Sequence, residues 1–313
     1  MNIWLKGRDM IAVGIDLGGT KIEAQVFDAD WAPLDARRVP TPLTYDALID
    51  DITALVDWAQ SFADHQVSVG IGSAGLVNTK TGTVTAANLP SHGKPFAADV
   101  ANALGRSVTF LNDSQAMALS EAVFGAGRGY DTMLALVLGT GVSGALVANG
   151  LLQHGCTQTL GEFGHIAAPA HLVQAHGLPL VACGCGQIGC VETLLSGAGL
   201  MRIAAEVMGE QMSPEALIEK RANDQRARKV WDIWCALAAD LIRTLTRTTD
   251  PHCIVLGGGL SQIHGIAEDL TRAAQAVQFA GFDMPPILLA QGGDTSGARG
   301  AAYHAVMCEA RNV

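Results

Sequence analysis

The chain has 313 residues, 49% hydrophobic and 16% charged, so it can bury a sizeable core and wholesale disorder is excluded. Its formal net charge of −10 and the lack of any long basic run argue against a nucleic-acid partner, since phosphate backbones are met by clustered Lys and Arg. The seven cysteines are an odd number and accompany no visible export signal, which points to a reducing, cytoplasmic compartment and away from a disulfide framework.

In chain order, "MNIWLKGRDM" has neither an apolar h-region nor a small-residue cleavage site, so no signal peptide is expected. The first nine residues read as a short tail, with Met10 as an alternative start. "IAVGIDLGG" reads as a buried strand running into a tight turn, and "IEAQVFD" as the returning strand of a hairpin. Residues 44–63 have apolar spacing near 3.6 and predict a helix; "VSVGIG" predicts another buried strand. "GIGSAG", Gly70 to Gly75, has the spacing of a dinucleotide fingerprint, but β-branched, turn-like residues follow where that fingerprint needs a helix, so the reading is rejected. "SVTFLND" is a strand and "SQAMALSEAVFG" the helix after it. Residues 133–152 carry no charge, but their four glycines and central Gly-Thr-Gly fit two buried strands around a turn better than a membrane helix. Helices are expected around 191–208 and 225–248, then the strand "CIVLGGG" and a closing helix near 297–310. The pattern is α/β. Residues 17–28 resemble 138–149, each an apolar strand, a Leu-Gly turn holding Gly and Thr, then a second apolar strand, which suggests a duplicated fold with a cleft between lobes.

Several motifs carry chemistry. In "DLGGTK", consecutive glycines let backbone N–H groups approach an anion, Thr20 and Lys21 add donors, and Asp16 suits Mg²⁺; a plain hairpin turn is the alternative. "LGTGVSG" (138–144) and "LGGGLS" (256–261) offer two further glycine turns after strands. Asp113 stands where a strand ends and a helix begins, so it reads either as an N-cap or as a general base at a strand's carboxyl end. "GEFGH" sets Glu162 and His165 three residues apart, able to face one ligand from a turn. "CGCGQIGC" spaces its thiols C-x-C-x4-C, not the C-x-x-C of thioredoxin chemistry. Cys183, Cys185 and Cys190 suit tetrahedral Zn²⁺ if a fourth ligand arrives from elsewhere, with His165, His171, His176 and Cys156 as candidates; unligated cysteines on a tight loop are the alternative.

Taken in order, "DLGGTK", "NDS", "LGTGVSG", "GEFGH", "CGCGQIGCVE" and "LGGGLS" resemble the ROK family of sugar kinases (repressors, open reading frames and kinases) over nearly the whole chain from Ile11. Within it, "PTP" at 40–42, "AANLPSHGKP" at 86–95 and "LSEA" at 119–122 look most similar to bacterial N-acetylglucosamine kinases. The chain departs from the family at "SAG" (73–75), at Ser143 and Ala145 in the second phosphate loop, and in "NLPSHGKP", which lacks a Trp and is one residue shorter. No helix-turn-helix precedes "DLGGTK", which disfavours the repressor branch.

The resemblance implies a two-lobed actin-like (ribonuclease H-like) ATPase fold with a duplicated mixed sheet and an interlobe cleft. Residues 10–115, completed by a C-terminal helix at about 298–313, would form the smaller lobe, and 116–297 the larger one with the zinc loop. It implies a phosphotransferase acting in amino-sugar salvage, placing the γ-phosphate of ATP on the 6-hydroxyl of N-acetyl-D-glucosamine. A glucokinase, fructokinase or N-acetylmannosamine kinase is the related alternative, and a non-catalytic sugar sensor the alternative of another class. Asp113 would be the general base. Asn88, Asn112, Asp113, Glu162, His165 and Glu192 would bind the sugar. Asp16, Gly18, Gly19, Thr20, Lys21, Gly139, Thr140 and Gly141 would serve Mg²⁺ and phosphates, and Gly257, Gly258 and Gly259 the adenosine. His165, Cys183, Cys185 and Cys190 would hold a structural Zn²⁺ that fixes the loop carrying Glu192. ATP and a small sugar are the expected partners, with no membrane and no nucleic acid, in a homodimer.

Overall fold

The computed structural model describes residues 12–86 and 89–311, apart from the side chains of Asp294 and Arg311. The N-terminal tail with Met10, and Asn88, lie outside the described residues. The chain divides into two units: one takes in the chain up to Gly125, Leu151–Thr159 and the stretch from Gln291 on; the other takes in Ala126–Gly150 and Leu160–Ala290.

In the first unit, β1 (Ala12–Leu17), β2 (Lys21–Phe27) and β3 (Pro33–Pro40) run antiparallel, and β4 (Ser68–Ser73) and β7 (Thr109–Asn112) join in parallel, in the order β3-β2-β1-β4-β7. β5 (Leu76–Val77) pairs with β6 (Val84–Thr85), and β10 (Leu151–Leu152) is a short strand. Strand alternation splits β1 between two layers. Val13 and Ile15 enter a core with Leu48, Ile52 and Val56 of α1 (Tyr45–Gln60) and Phe96 and Val100 of α2 (Phe96–Leu104). Ala12 and Gly14 turn to the opposite face, where α10 (Ser296–Arg311) lies beside α3 (Asp113–Phe124). The helix comes so close that a Cβ on Gly14 would stand 1.7 Å from the Ala298 carbonyl oxygen, and one on Gly70 1.9 Å from that of Ala301. Glycines in the strands and alanines on the helix are therefore the condition of this packing, and they set the height of α10 over the ends of β1 and β7.

The second unit repeats the plan. β8 (Thr132–Leu138) and β9 (Val142–Ala148) form an antiparallel hairpin, and β11 (Cys253–Gly257) and β12 (Ile287–Leu289) add in parallel. The order β9-β8-β11-β12 matches β2-β1-β4-β7, so the expected duplicated mixed sheet is present. The uncharged span is this hairpin, and among the described residues no helix is long and apolar enough to cross a membrane. The helices are α4 (Ala170–His176), α5 (Glu192–Leu195), α6 (Gly197–Met208), α7 (Pro214–Lys220), α8 (Gln225–Thr249) and α9 (Ile266–Ala276). α8 contributes Trp231 and Trp234, stacked 4.9 Å apart, to the main core, and the Trp234 indole N–H donates to the Leu195 carbonyl at 3.1 Å.

Two features correct the sequence reading. The helix expected over 191–208 is broken at Ser196, whose extended backbone (φ −68°, ψ 171°) ends α5 while its hydroxyl caps α6 by accepting from the Gly199 N–H. β3 was not anticipated; nearly every residue in it is exposed, so it has no apolar alternation to reveal it.

Candidate active site

β1 brings Asp16 to the carboxyl end of its strand, and the chain reverses through Gly18, Gly19 and Thr20. The Gly18 N–H donates to Lys21 O at 3.0 Å. Thr41, from "PTP", pins the same turn: its hydroxyl donates to Gly18 O (2.6 Å) and its N–H to Thr20 O (3.1 Å). Gly19 and Thr20 are left exposed at the tip. Lys21 sits 3.5 Å from the buried Glu23 carboxylate, which Arg38 also engages, so its ammonium is tied back toward the sheet.

The end of β7 bears on the N-cap reading of Asp113. The N-cap of α3 is Asn112: its side-chain oxygen accepts from the Ser114 N–H at 2.9 Å, and Gln115 Oε1 accepts from the Asn112 N–H at 3.1 Å, a capping box. The N-cap reading of Asp113 is thus corrected; it is the first helical residue, one place past the cap. Asn112 also donates through Nδ2 to Gly75 O at 2.9 Å, which leaves one amide hydrogen and one lone pair for a ligand. Desolvation raises the Asp113 carboxyl above its ordinary range, against the lowering effect of the Ser114 N–H and hydroxyl. Water still reaches the exposed residue and moderates the size of that shift.

In the second unit the β8–β9 turn holds Gly139, Thr140 and Gly141. The Gly139 N–H donates to Gly141 O (3.0 Å), and Gly139 O accepts from the Gly197 N–H (2.8 Å). Gly258 has φ 85° and ψ 170°, a region essentially restricted to glycine, and a Cβ there would stand 2.4 Å from Leu138 O. A Cβ on Gly139 would lie 3.6 Å from the Gly259 nitrogen, so the two glycine turns are side by side.

"GEFGH" is fitted to the same hairpin. Gly161 has φ 110°, and a Cβ there would fall 2.1 Å from Gly144 O. The following 3-10 turn (Phe163–His165) brings His165 Nε2 to 3.5 Å from Glu162 Oε2, while Nδ1 faces Cys183 Sγ, also at 3.5 Å. Of the four candidate partners, His165 is the one that joins the three thiols. One ligand atom from each of His165, Cys183, Cys185 and Cys190 lies within 4.8 Å of all the others, and Cys185 and Cys190 Sγ are 3.5 Å apart. A tetrahedral zinc with bonds of about 2.0–2.3 Å needs ligand atoms roughly 3.3–3.8 Å apart, so this donor set fits the ion with little adjustment. The Cys185 thiol lies below its ordinary range, first through the Gln187 backbone N–H, and burial pushes Cys190 up.

Glu192 links these parts. Its Oε2 accepts from the Val142 N–H at 2.8 Å, just past the Gly139–Gly141 turn, and its Oε1 lies 3.9 Å from Cys183 Sγ. No local pattern signals this contact, because Val142 and Glu192 are fifty residues apart.

A duplicated mixed sheet, a glycine turn on the leading hairpin of each half, and a Cys3His cluster beside the second turn together define a class. The ROK family model matches residues 12–307, and the chain belongs to that family. It is 40% identical over 292 residues to an N-acetylgalactosamine kinase from Shewanella sp. (strain ANA-3), covering 92% of this chain and 94% of that protein. It is 38% identical over 294 residues to an N-acetyl-D-glucosamine kinase from Pectobacterium atrosepticum, covering 92% and 97%. The ROK hexokinase structure from Thermus thermophilus superposes with a TM-score of 0.85 at 31% identity, over 97% of this chain and 100% of that one.

Proposed function

We propose that this chain is an ATP-dependent kinase that phosphorylates the 6-hydroxyl of N-acetyl-D-glucosamine. The observation that carries the reading is 38% identity, across 92% of the chain, to an N-acetyl-D-glucosamine kinase. Asp113 takes the proton from the 6-hydroxyl as that oxygen attacks the γ-phosphorus and ADP leaves. Its raised basicity and its access to solvent both suit that task. Asn88, Asn112, Glu162, His165 and Glu192 hold sugar hydroxyls, fixing the attacking oxygen in line. Backbone N–H groups of Gly19 and Thr20 and of Thr140 and Gly141 cradle phosphate oxygens, Gly18 and Gly139 let the two turns come close to them, Lys21 adds a positive charge near the first turn, and Gly257, Gly258 and Gly259 border the adenosine. Asp16 would hold Mg²⁺, which supplies neutralisation of the phosphate charge.

His165, Cys183, Cys185 and Cys190 would hold Zn²⁺ with no position left for substrate, a structural role that fixes the tautomer and orientation of His165 and the loop before Glu192. With Nδ1 turned to the thiols, His165 keeps Nε2 for Glu162 and a sugar hydroxyl. The reading carries with it amino-sugar salvage, a cytoplasmic location and a homodimer.

N-acetyl-D-galactosamine is the second reading, favoured by the 40% identity to a kinase of that sugar. The two sugars share the acetamido group and differ at the 4-hydroxyl. The test is ADP release from Mg-ATP with and without N-acetylglucosamine, and assignment of the phosphate position by NMR. Sugar-dependent release with phosphate on O6 is expected; release indifferent to added sugar refutes the reading.

A further inference from the structure

Among the described residues, four non-glycine residues have positive φ: Trp31, Asn149, Gln158 and Asp250. Asn and Asp adopt this region with local polar help. Trp31 is held there by aromatic packing, with ring centroids 6.3, 5.5 and 5.3 Å from Phe27, Phe124 and Tyr303. Gln158, at φ 58°, has neither reason. Its N–H closes a turn onto Gly155 O at 3.2 Å, a turn that glycine would close with less strain. A side chain kept at such a position is a sign that the side chain is used.

Gln158 lines a cavity of about 240 Å³ in the first unit. Phe96, Phe110 and Val84 are apolar residues of the lining, and Ser73, Thr79, Asn112 and Gln115 are polar ones. Among the described residues no charged one lines it. Asn112 is the immediate neighbour of Asp113, so the cavity lies beside the proposed base. The Gln158 carboxamide makes no hydrogen bond among the described residues, which leaves both its N–H donors and its oxygen for a ligand. An apolar wall beside three carboxamides, with no charge among the described lining residues, matches a neutral substituent that has both a methyl and an amide.

We infer that Gln158 is a specificity-determining residue whose carboxamide recognises the 2-acetamido group of the sugar at this cavity. The inference rests on the N-acetylhexosamine reading above and deepens it. Gln158 takes no part in the proton transfer, so its loss affects recognition and leaves the chemical step alone.

The test uses two variants of the full-length protein. Gln158→Gly removes the carboxamide and relieves the positive φ, so it folds at least as well as the parent. Gln158→Glu keeps the length and replaces the N–H donors with a carboxylate oxygen. Steady-state kinetics are measured with whichever N-acetylhexosamine the parent turns over, N-acetylglucosamine or N-acetylgalactosamine, and with glucose alongside. Both variants are expected to raise the sugar KM about tenfold, the size of one lost hydrogen bond, with kcat and the KM for ATP within about twofold. Any glucose turnover keeps its kcat/KM. An unchanged KM for the N-acetylated sugar, a loss confined to kcat, or an equal loss on glucose overturns the inference while the kinase reading stands. A parent that turns over neither N-acetylated sugar overturns both.

Discussion

Glu192 offers a test that separates architecture from chemistry. Its Oε2 accepts the Val142 N–H at 2.8 Å, and Val142 is only 1% exposed. Replacing Glu192 with Ala leaves that N–H without its acceptor at the edge of the phosphate turn. A buried unpaired donor costs about 1–3 kcal/mol, and a hydrogen bond to a charged group contributes at the upper end of that range. Glu192→Ala is therefore expected to destabilise the second unit by about 2–3 kcal/mol, a fall of roughly 4–10 °C in its melting temperature for a domain of this size. Glu192→Gln keeps a carbonyl oxygen for the same N–H and is expected to cost less than about 1 kcal/mol. Both variants are expected to lose turnover, since Glu192 is also proposed to hold a sugar hydroxyl. The assay is thermal unfolding of the parent and both variants at equal metal content. An Ala variant as stable as the Gln variant would show that the Val142 contact contributes nothing, and the link between the phosphate turn and α5 would have to be abandoned.

Asp113→Asn is expected to abolish turnover while sugar binding stays measurable by calorimetry, and near-normal turnover removes Asp113 from its role. Because its carboxyl is raised first by desolvation, the acid limb of kcat/KM is expected above the ordinary Asp range, the rate falling as pH drops through that value. The same shift works against the fold at neutral pH: a raised carboxyl contributes stability below its unfolded pKa and loses it as pH rises through the folded one, so the Asn variant is expected to melt no lower than the parent at pH 7, and a clearly lower melting point counts against the desolvation argument. Freshly purified protein is expected to contain about one zinc per chain by elemental analysis, and Cys185→Ser to lose most of it; a metal-free parent would sink the zinc assignment. Gly297→Ala would place a Cβ 3.0 Å from the Asp16 carboxylate carbon, so it is expected to raise the Mg²⁺ concentration needed for half-maximal rate several-fold, and an unchanged requirement would dissociate Asp16 from the metal.

The duplicated hairpins, the buried strands and the thiol cluster were legible because local chemistry defines each one. Apolar runs ending in glycine fix strand and turn together, and C-x-C-x4-C with a nearby "GEFGH" narrows the fourth metal ligand to a short list. The role of Asp113 was ambiguous by position, yet the sequence held a usable signal: Asn112 followed three residues later by Gln115 is a capping-box spacing, which assigns the cap to Asn112 and frees Asp113. β3 was hidden because an exposed edge strand has no apolar period. The Ser196 break was hidden because a serine inside a helical pattern is not by itself a stop signal. The Glu192–Val142 contact and the positive φ of Gln158 depend on tertiary placement, and no local pattern encodes either.

Phosphorylation of an N-acetylhexosamine is the reaction proposed for this chain. The most direct measurement is coupled ADP release with Mg-ATP across N-acetylglucosamine, N-acetylgalactosamine, N-acetylmannosamine, glucose, mannose and fructose, with Asp113→Asn as the blank. N-acetylglucosamine is expected to give the highest kcat/KM, and the blank to stay at background. A higher kcat/KM on N-acetylgalactosamine would favour the second reading and keep the acetamido recognition. A preference for glucose, mannose or fructose over every N-acetylated sugar would contradict that reaction.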